Sequence, residues 1–275
     1  RLWKFICVIC FVLGAGNGTT FYLRYQGAVE ARRLYRDVYV HYNSYPKVTL
    51  LDLDLDYESR GNRLSVDCRL RVRNQNKERV ENLLLYLNPS LELESARVDG
   101  KDIPWKRDEQ VLLLYSGLAA GEECEVEIRY SGKIDERICH VDIPDKTFFD
   151  LSDRGDFTCR FGKRFAYLGE AYTLLTPECL WYPVCTPPVN PGNVYAVDKH
   201  FFNSTLKVSG IGDKAVFSQG ASFKERDVTL FRSTKPLVGL SLVVGTYTGD
   251  MLPVDSVQYG YYVYPGHGDY FNGLE

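Results

Sequence analysis

The chain is short of the residues that usually announce an enzyme. Among 275 residues it has one methionine, Met251, and four scattered histidines, His41, His140, His200 and His267. No two of these stand as His-x-x-x-His, and a catalytic zinc needs about three protein ligands in fixed geometry. A Gly-x-Ser-x-Gly elbow and a Walker loop are both missing, which removes the commonest signals for hydrolase nucleophiles and nucleotide phosphates. There is no basic excess: 33 Lys+Arg face 36 Asp+Glu, for a net charge of -3. The chain therefore carries no electrostatic footprint for nucleic acid. Internal repeats and low-complexity segments are absent as well. With Arg1 first and its only methionine at Met251, the sequence reads as an internal piece of a longer protein.

What is present is core-forming material. Hydrophobic residues make up 45%, and the length suits about two domains. The 20 tyrosines and 14 phenylalanines favour pleated, half-buried strand surfaces. Of the eight cysteines, Cys7 and Cys10 have redox-like spacing but sit in an apolar run with no βαβ context, so they read as membrane or core packing. Cys68 and Cys124 fall on expected strands and read as buried thiols. Cys159, Cys179 and Cys185 could meet in space, which leaves a disulfide or a structural metal open.

Leu2–Leu23 is apolar and reaches the length of a bilayer span if Thr19, Thr20 and the glycines are counted in. Trp3 and Tyr22 would then lie near the two interfaces. A signal peptide would call for a small-residue cleavage site, which is not evident. Gly14-Ala15-Gly16-Asn17-Gly18 lacks dinucleotide-loop spacing and is followed by β-type sequence. Tyr25–Tyr42 reads as a helix leading away from the membrane. Its arginines, Arg32, Arg33 and Arg36, together with Arg24, are expected on a solvated face, with headgroup contact as the alternative. Counted by the positive-inside rule, they favour a cytoplasmic C-terminal side, but large domains translocate largely regardless of charge, so orientation stays open.

From Pro46 the period changes to two. Leu51, Leu53, Leu55 and Tyr57 alternate with Asp52, Asp54 and Asp56; Ser59-Arg60-Gly61-Asn62 turns the chain; Leu64, Val66, Cys68, Leu70 and Val72 then alternate with mostly charged residues. This is a hairpin with one wet face, and the three aspartates read as solvated rather than as a calcium ladder. Val80–Gly132 and His200–Tyr247 supply further strands, and Val257–Tyr264 one more. Asp142, Asp145, Asp150, Asp153 and Asp156 read as an acidic loop. The expected class is mainly β: an antiparallel sandwich or saddle preceded by a transmembrane helix and a short linker helix.

Leu87-Asn88-Pro89, Val98-Asp99-Gly100 and the run Leu118–Gly132, closing on Tyr130-Ser131-Gly132, add a resemblance. Together with Trp181-Tyr182-Pro183 they resemble the N-terminal β-domain of the aminopeptidase N and leukotriene A hydrolase (gluzincin) metallopeptidases, as found in bacterial proteins fused to ABC-type permease segments. The resemblance covers about Pro46–Phe271. After the transmembrane helix at 1–23 and linker helix at 24–45 read above, it implies the β-domain at 46–249 and the start of a catalytic domain at 250–275. In that family the β-domain caps the active site, and zinc is bound by a later His-Glu-x-x-His helix. No cofactor is then expected within 1–275, and the family's Gly-x-Met-Glu-Asn motif is expected to lie further on. The resemblance makes Glu170 the candidate for holding a substrate α-amine; an ordinary surface-loop glutamate is the alternative. The family's more usual Gln-x-x-x-x-x-Ala-Arg pattern is absent here. Implied partners are the membrane, a peptide substrate and ABC-type transporter subunits, in a bacterial inner membrane with the β-domain extracytoplasmic. The rival reading is a pseudo-enzyme whose β-domain binds peptides or partners without peptidase activity. An unrelated β-sandwich adhesin or receptor module is a third.

Overall fold

The structure, a computed structural model, describes residues 2–144, 166–189, 200–255 and 257–267. Cys159, Asp145, Asp150, Asp153, Asp156 and the segment 268–271 lie outside the described residues.

One unbroken helix, α1 (Leu2–Tyr42), carries both the apolar stretch and the linker segment expected after it. It contains no proline, and Pro46 follows its end, where the residue before a proline disfavours helix. Every described side chain from Trp3 to Tyr25 is exposed. Beyond Gln26 a buried stripe appears, formed by Val29, Arg32, Tyr35, Val38 and Tyr42. That is helical spacing, so one side of the second half faces the protein.

Among the described residues seventeen strands follow. In chain order the first eight are β1 (Thr49–Arg60), β2 (Arg63–Arg73), β3 (Leu83–Tyr86), β4 (Leu91–Val98), β5 (Lys101–Asp102), β6 (Trp105–Asp108), β7 (Val111–Leu114) and β8 (Glu123–Gly132). Next come β9 (Ala166–Leu168), β10 (Tyr172–Leu175), β11 (Asn203–Ser209), β12 (Ala215–Phe217) and β13 (Ala221–Glu225). The last are β14 (Val228–Arg232), β15 (Leu242–Gly245), β16 (Thr248–Val254) and β17 (Val257–Val263). They form an eight-stranded sheet in the order β13-β14-β11-β1-β2-β8-β4-β5, with smaller sheets β3-β7-β6, β12-β15-β10-β9 and β16-β17. A mainly β architecture behind an N-terminal helix is therefore the observed class. One pairing departs from the expected antiparallel order: β1 lies parallel to β11. The long chain between them can make a crossover, and side-chain alternation carries no information on strand direction.

Register explains the two faces of the large sheet. Leu53, Leu70 and Val126 align across β1, β2 and β8, as do Leu55, Cys68 and Ile128, and then Tyr57, Val66 and Tyr130. All nine are buried. The opposite face carries charge: Asp52 meets Arg71, Asp56 meets Lys207 at 2.6 Å, and Asp67 meets Arg129. The aspartates are thus on the solvated face, answered by cross-strand bases worth little individually. Two signature segments of the sequence meet at the end of this sheet. Gly132 (φ 149°) pairs with Leu91, and a β-carbon there would lie 2.6 Å from the Ser90 carbonyl oxygen, so only glycine fits.

The second half of α1 is fastened to the β-structure by side chains on its buried stripe. Arg32 Nη1 donates to the Cys139 carbonyl at 2.8 Å, and Nη2 to the carbonyls of His140 at 2.6 Å and Ile143 at 3.2 Å. Arg36 donates to the carbonyls of Val141 and Asp142 at 3.0 and 3.1 Å. Arg32 is 2% exposed, which corrects the expected solvated face. The charge tolerates burial because a turn of main-chain carbonyls surrounds it. Gln110 Nε2 donates to the Tyr35 carbonyl at 2.7 Å, and the Tyr42 hydroxyl donates to Asp108 at 2.9 Å, seating the helix beside β6 and β7.

Candidate functional site

The aromatic-proline step proves to be a structural junction. Trp181 and Tyr182 are 0% and 1% exposed. Trp181 Nε1 donates to the Leu240 carbonyl at 3.0 Å, and the Leu240 N–H donates to the Tyr182 hydroxyl at 2.9 Å. Burial pushes the Tyr182 phenol well up, so it stays protonated. The Trp181 ring meets Tyr57 edge-on at 6.3 Å and Tyr182 at 5.0 Å, which links the large sheet to the β10–β15 sheet.

Asn88, which the sequence offered as part of the Leu87-Asn88-Pro89 motif, is the hub beside it. Its side-chain amide donates to the carbonyls of Asp135 (2.9 Å) and Cys179 (2.7 Å), and its oxygen accepts from the N–H groups of Asp135 and Ser90. Arg107 donates to the Leu87 and Asn88 carbonyls at 2.9 and 2.6 Å, and burial pulls its guanidinium down to about 10. The only advance signal for these roles was the polar residue inside Leu87-Asn88-Pro89.

Glu170 lies elsewhere in character. It is exposed on the tight turn between β9 and β10, where the Gly169 N–H donates to the Tyr172 carbonyl at 3.2 Å. The Lys214 ammonium donates to the Glu170 carbonyl oxygen, and the carboxylate neighbours the β1–β2 turn at Gly61. Tyr167 and Tyr172 flank the turn and stack at 4.1 Å with a 20° tilt. Further half-buried or exposed rings continue from the same sheet: Phe217 lies 5.9 Å from Tyr247 and 4.3 Å from Tyr262. A carboxylate beside an aromatic shelf can attract an ammonium group by charge-assisted hydrogen bonding and by the ring faces. The resemblance singled out Glu170 as a candidate but gave no sign of the shelf, because Tyr167, Tyr172, Phe217 and Tyr247 come together only through the pairing of β9, β10, β12 and β15.

Among the described residues, no three His, Cys, Asp or Glu gather as a metal site. The described residues therefore offer no donor set for a zinc ion. Cys179 and Cys185 are buried thiols, as are Cys68, Cys124 and Cys139. Burial pushes Cys124 and Cys185 up to about 12. β16 and β17 form a hairpin paired only with each other among the described residues, exposing Met251, Leu252, Tyr259 and Tyr261.

No family model matches the chain, and no curated protein is similar to it. Solved structures are. An M1 zinc metallopeptidase mutant from Deinococcus radiodurans, bound to a Tyr-Ser-Ala substrate, is 17% identical with a TM-score of 0.52, covering 78% of this chain and 47% of that one. Legionella pneumophila aminopeptidase A in complex with aspartic acid is 12% identical with a TM-score of 0.58, covering 82% and 25%. Native yeast LTA4 hydrolase is 10% identical with a TM-score of 0.51, covering 78% and 31%. The class is thus one of fold: the β-structure is built like part of the M1 zinc metallopeptidases and LTA4 hydrolase. The chain spans half or less of the length of these structures.

Proposed function

We propose that this chain is the non-catalytic cap of a membrane-anchored, M1-like zinc aminopeptidase, in the permease-linked bacterial form of that architecture. On this reading residues 1–23 anchor the protein, 46–249 form the cap, and 250–275 lead into a zinc-bearing domain beyond. The exposed apolar hairpin β16–β17 is the surface that packs against that domain. Glu170 receives the α-ammonium of a peptide, with the Tyr167–Tyr172 stack supporting the adjoining residue. The observation that carries the reading is the placement of Glu170: an exposed carboxylate on an aromatic-flanked turn, in a fold shared with enzymes solved with a peptide or an amino acid. Charge pairing at one end of a substrate sets exopeptidase register.

The test is Glu170→Gln in the protein together with the polypeptide that follows residue 275. A hydrogen bond to a charged group is worth about 1.5–3 kcal/mol, so kcat/KM toward aminoacyl reporters should fall about tenfold to a hundredfold. Unchanged kcat and KM would remove the role. Zinc-dependent hydrolysis by residues 1–275 alone would remove the non-catalytic assignment. The following polypeptide should carry His-Glu-x-x-His, and its absence there would leave a peptide- or partner-binding protein instead.

A further inference from the structure

We propose that α1 is a rigid strut rather than a tether, and that it seats the β-domain directly on the lipid headgroups. The inference rests on the membrane reading above and goes beyond it by fixing the height and orientation of the domain.

Three observations meet here. The first is where charge falls on the exposed half of α1. Lys4 and Arg24 bracket a run with no charged residue between them. At 1.5 Å per residue they stand about 30 Å apart, the thickness of a bilayer's hydrocarbon core. Two polar side chains inside that run are answered by the helix itself: Asn17 donates to the Leu13 carbonyl and Thr20 to the Gly16 carbonyl, both at 2.9 Å. A helix exposed on all sides, apolar on all sides and charged at the two ends of one bilayer thickness suits lipid as its surround.

The second is how soon the protein begins. Arg137 Nη1 donates to the Gly27 carbonyl at 3.4 Å, and Val29 is already buried. From Leu23 to Gly27 the helix rises about 6 Å. The headgroup layer on each side of a bilayer is itself roughly 5–7 Å deep, taken as half the difference between total and hydrocarbon thickness. No linker length remains, so Arg24 and Arg137 lie at the headgroup level, where guanidinium groups meet lipid phosphates.

The third is the fastening. Arg32 and Arg36 together engage the carbonyls of all five residues from Cys139 to Ile143. The Tyr35 hydroxyl adds a 2.7 Å bond to Asp135, which Arg137 also grips. A guanidinium held by several carbonyls has its direction fixed, unlike a contact made by apolar side chains alone. Tilt of the membrane segment is therefore passed to the β-domain instead of being absorbed at a hinge.

The experiment uses the full chain in vesicles of zwitterionic lipid, with and without anionic lipid. Spin labels carried by non-canonical residues at Tyr22 and Lys101 report the distance between helix and domain. A label at Glu30 reports quenching by headgroup-labelled lipid. The strut predicts one narrow distance, the same in both lipids, and strong quenching at Glu30. A Gly-Ser linker inserted between Leu23 and Arg24 leaves the clamp intact and should widen the distribution about twofold and reduce the quenching. Arg32→Gln with Arg36→Gln should widen it as well. A native distribution as broad as that of the linker variant overturns the strut while vesicle binding stands. An unquenched Glu30 label overturns the seat. A chain that does not associate with vesicles in either lipid removes the membrane reading itself.

Discussion

Trp181 and Glu170 sit close in sequence on either side of β10, yet they belong to different kinds of region. Around Trp181 the indole N–H, the Tyr182 hydroxyl and the Asn88 amide are all answered by neighbouring main chain. Around Glu170 the carboxylate faces water and the neighbouring rings are only partly covered. Burial with full hydrogen bonding makes a region that holds the fold. An exposed charge on a pinned turn makes one that can meet a ligand. The same contrast divides α1, whose described side chains from Trp3 to Tyr25 are exposed while its second half is clamped.

Substitutions can break that contrast, and the largest effect belongs to the junction. Trp181→Ala should cost about 4 kcal/mol of unfolding free energy, read by denaturant titration, through cavity formation and orphaned partners. Glu170→Gln should change the same titration by less than about 0.5 kcal/mol. Equal costs would mean that the Glu170 turn is structural after all. Arg32→Ala should cost about 3 kcal/mol, because it leaves buried carbonyls unanswered, whereas Arg24→Ala should leave the midpoint where it is.

A smaller, pH-dependent effect follows from Asp135. Burial opposes its ionisation, but hydrogen bonds from Arg137 and Tyr35 outweigh burial and hold its carboxyl below the usual range. A lowered folded pKa means that its stabilisation is complete above the unfolded value of about 4 and is lost as pH falls through the lower folded value. Asp135→Asn should flatten that part of the stability profile below pH about 4, and an unchanged acid limb would show that the pair is silent. The smallest perturbation is chemical. In the native chain in detergent at pH about 8, iodoacetamide should spare Cys124 and Cys185, whose thiols burial pushes up to about 12, and should modify both once denaturant unfolds the β-structure. Peptide mass mapping reads the result, and rapid modification of Cys185 would mean that the junction opens.

Much of the fold could be read from local pattern. The alternation in β1 and β2 assigned a wet and a dry face because side-chain period is a property of the strand itself. Cys68 and Cys124 were placed in the core by the same rule. Arg32 and Arg36 could not be placed, because an arginine on an amphipathic helix has the same pattern whether water or a turn of carbonyls receives it. Asn88 was equally opaque: two of its three partner residues, Asp135 and Cys179, come from segments far along the chain.

The sequence by itself determined a long apolar helix and a run of alternating strands, since these depend on local spacing and residue chemistry. Tertiary structure alone decided that β1 and β11 run parallel, that Trp181 and Tyr182 close a junction, and that Arg32 is a buried clamp. The reason is physical: burial and hydrogen-bond partnership are relations between distant segments, settled by which main-chain groups the fold brings within reach.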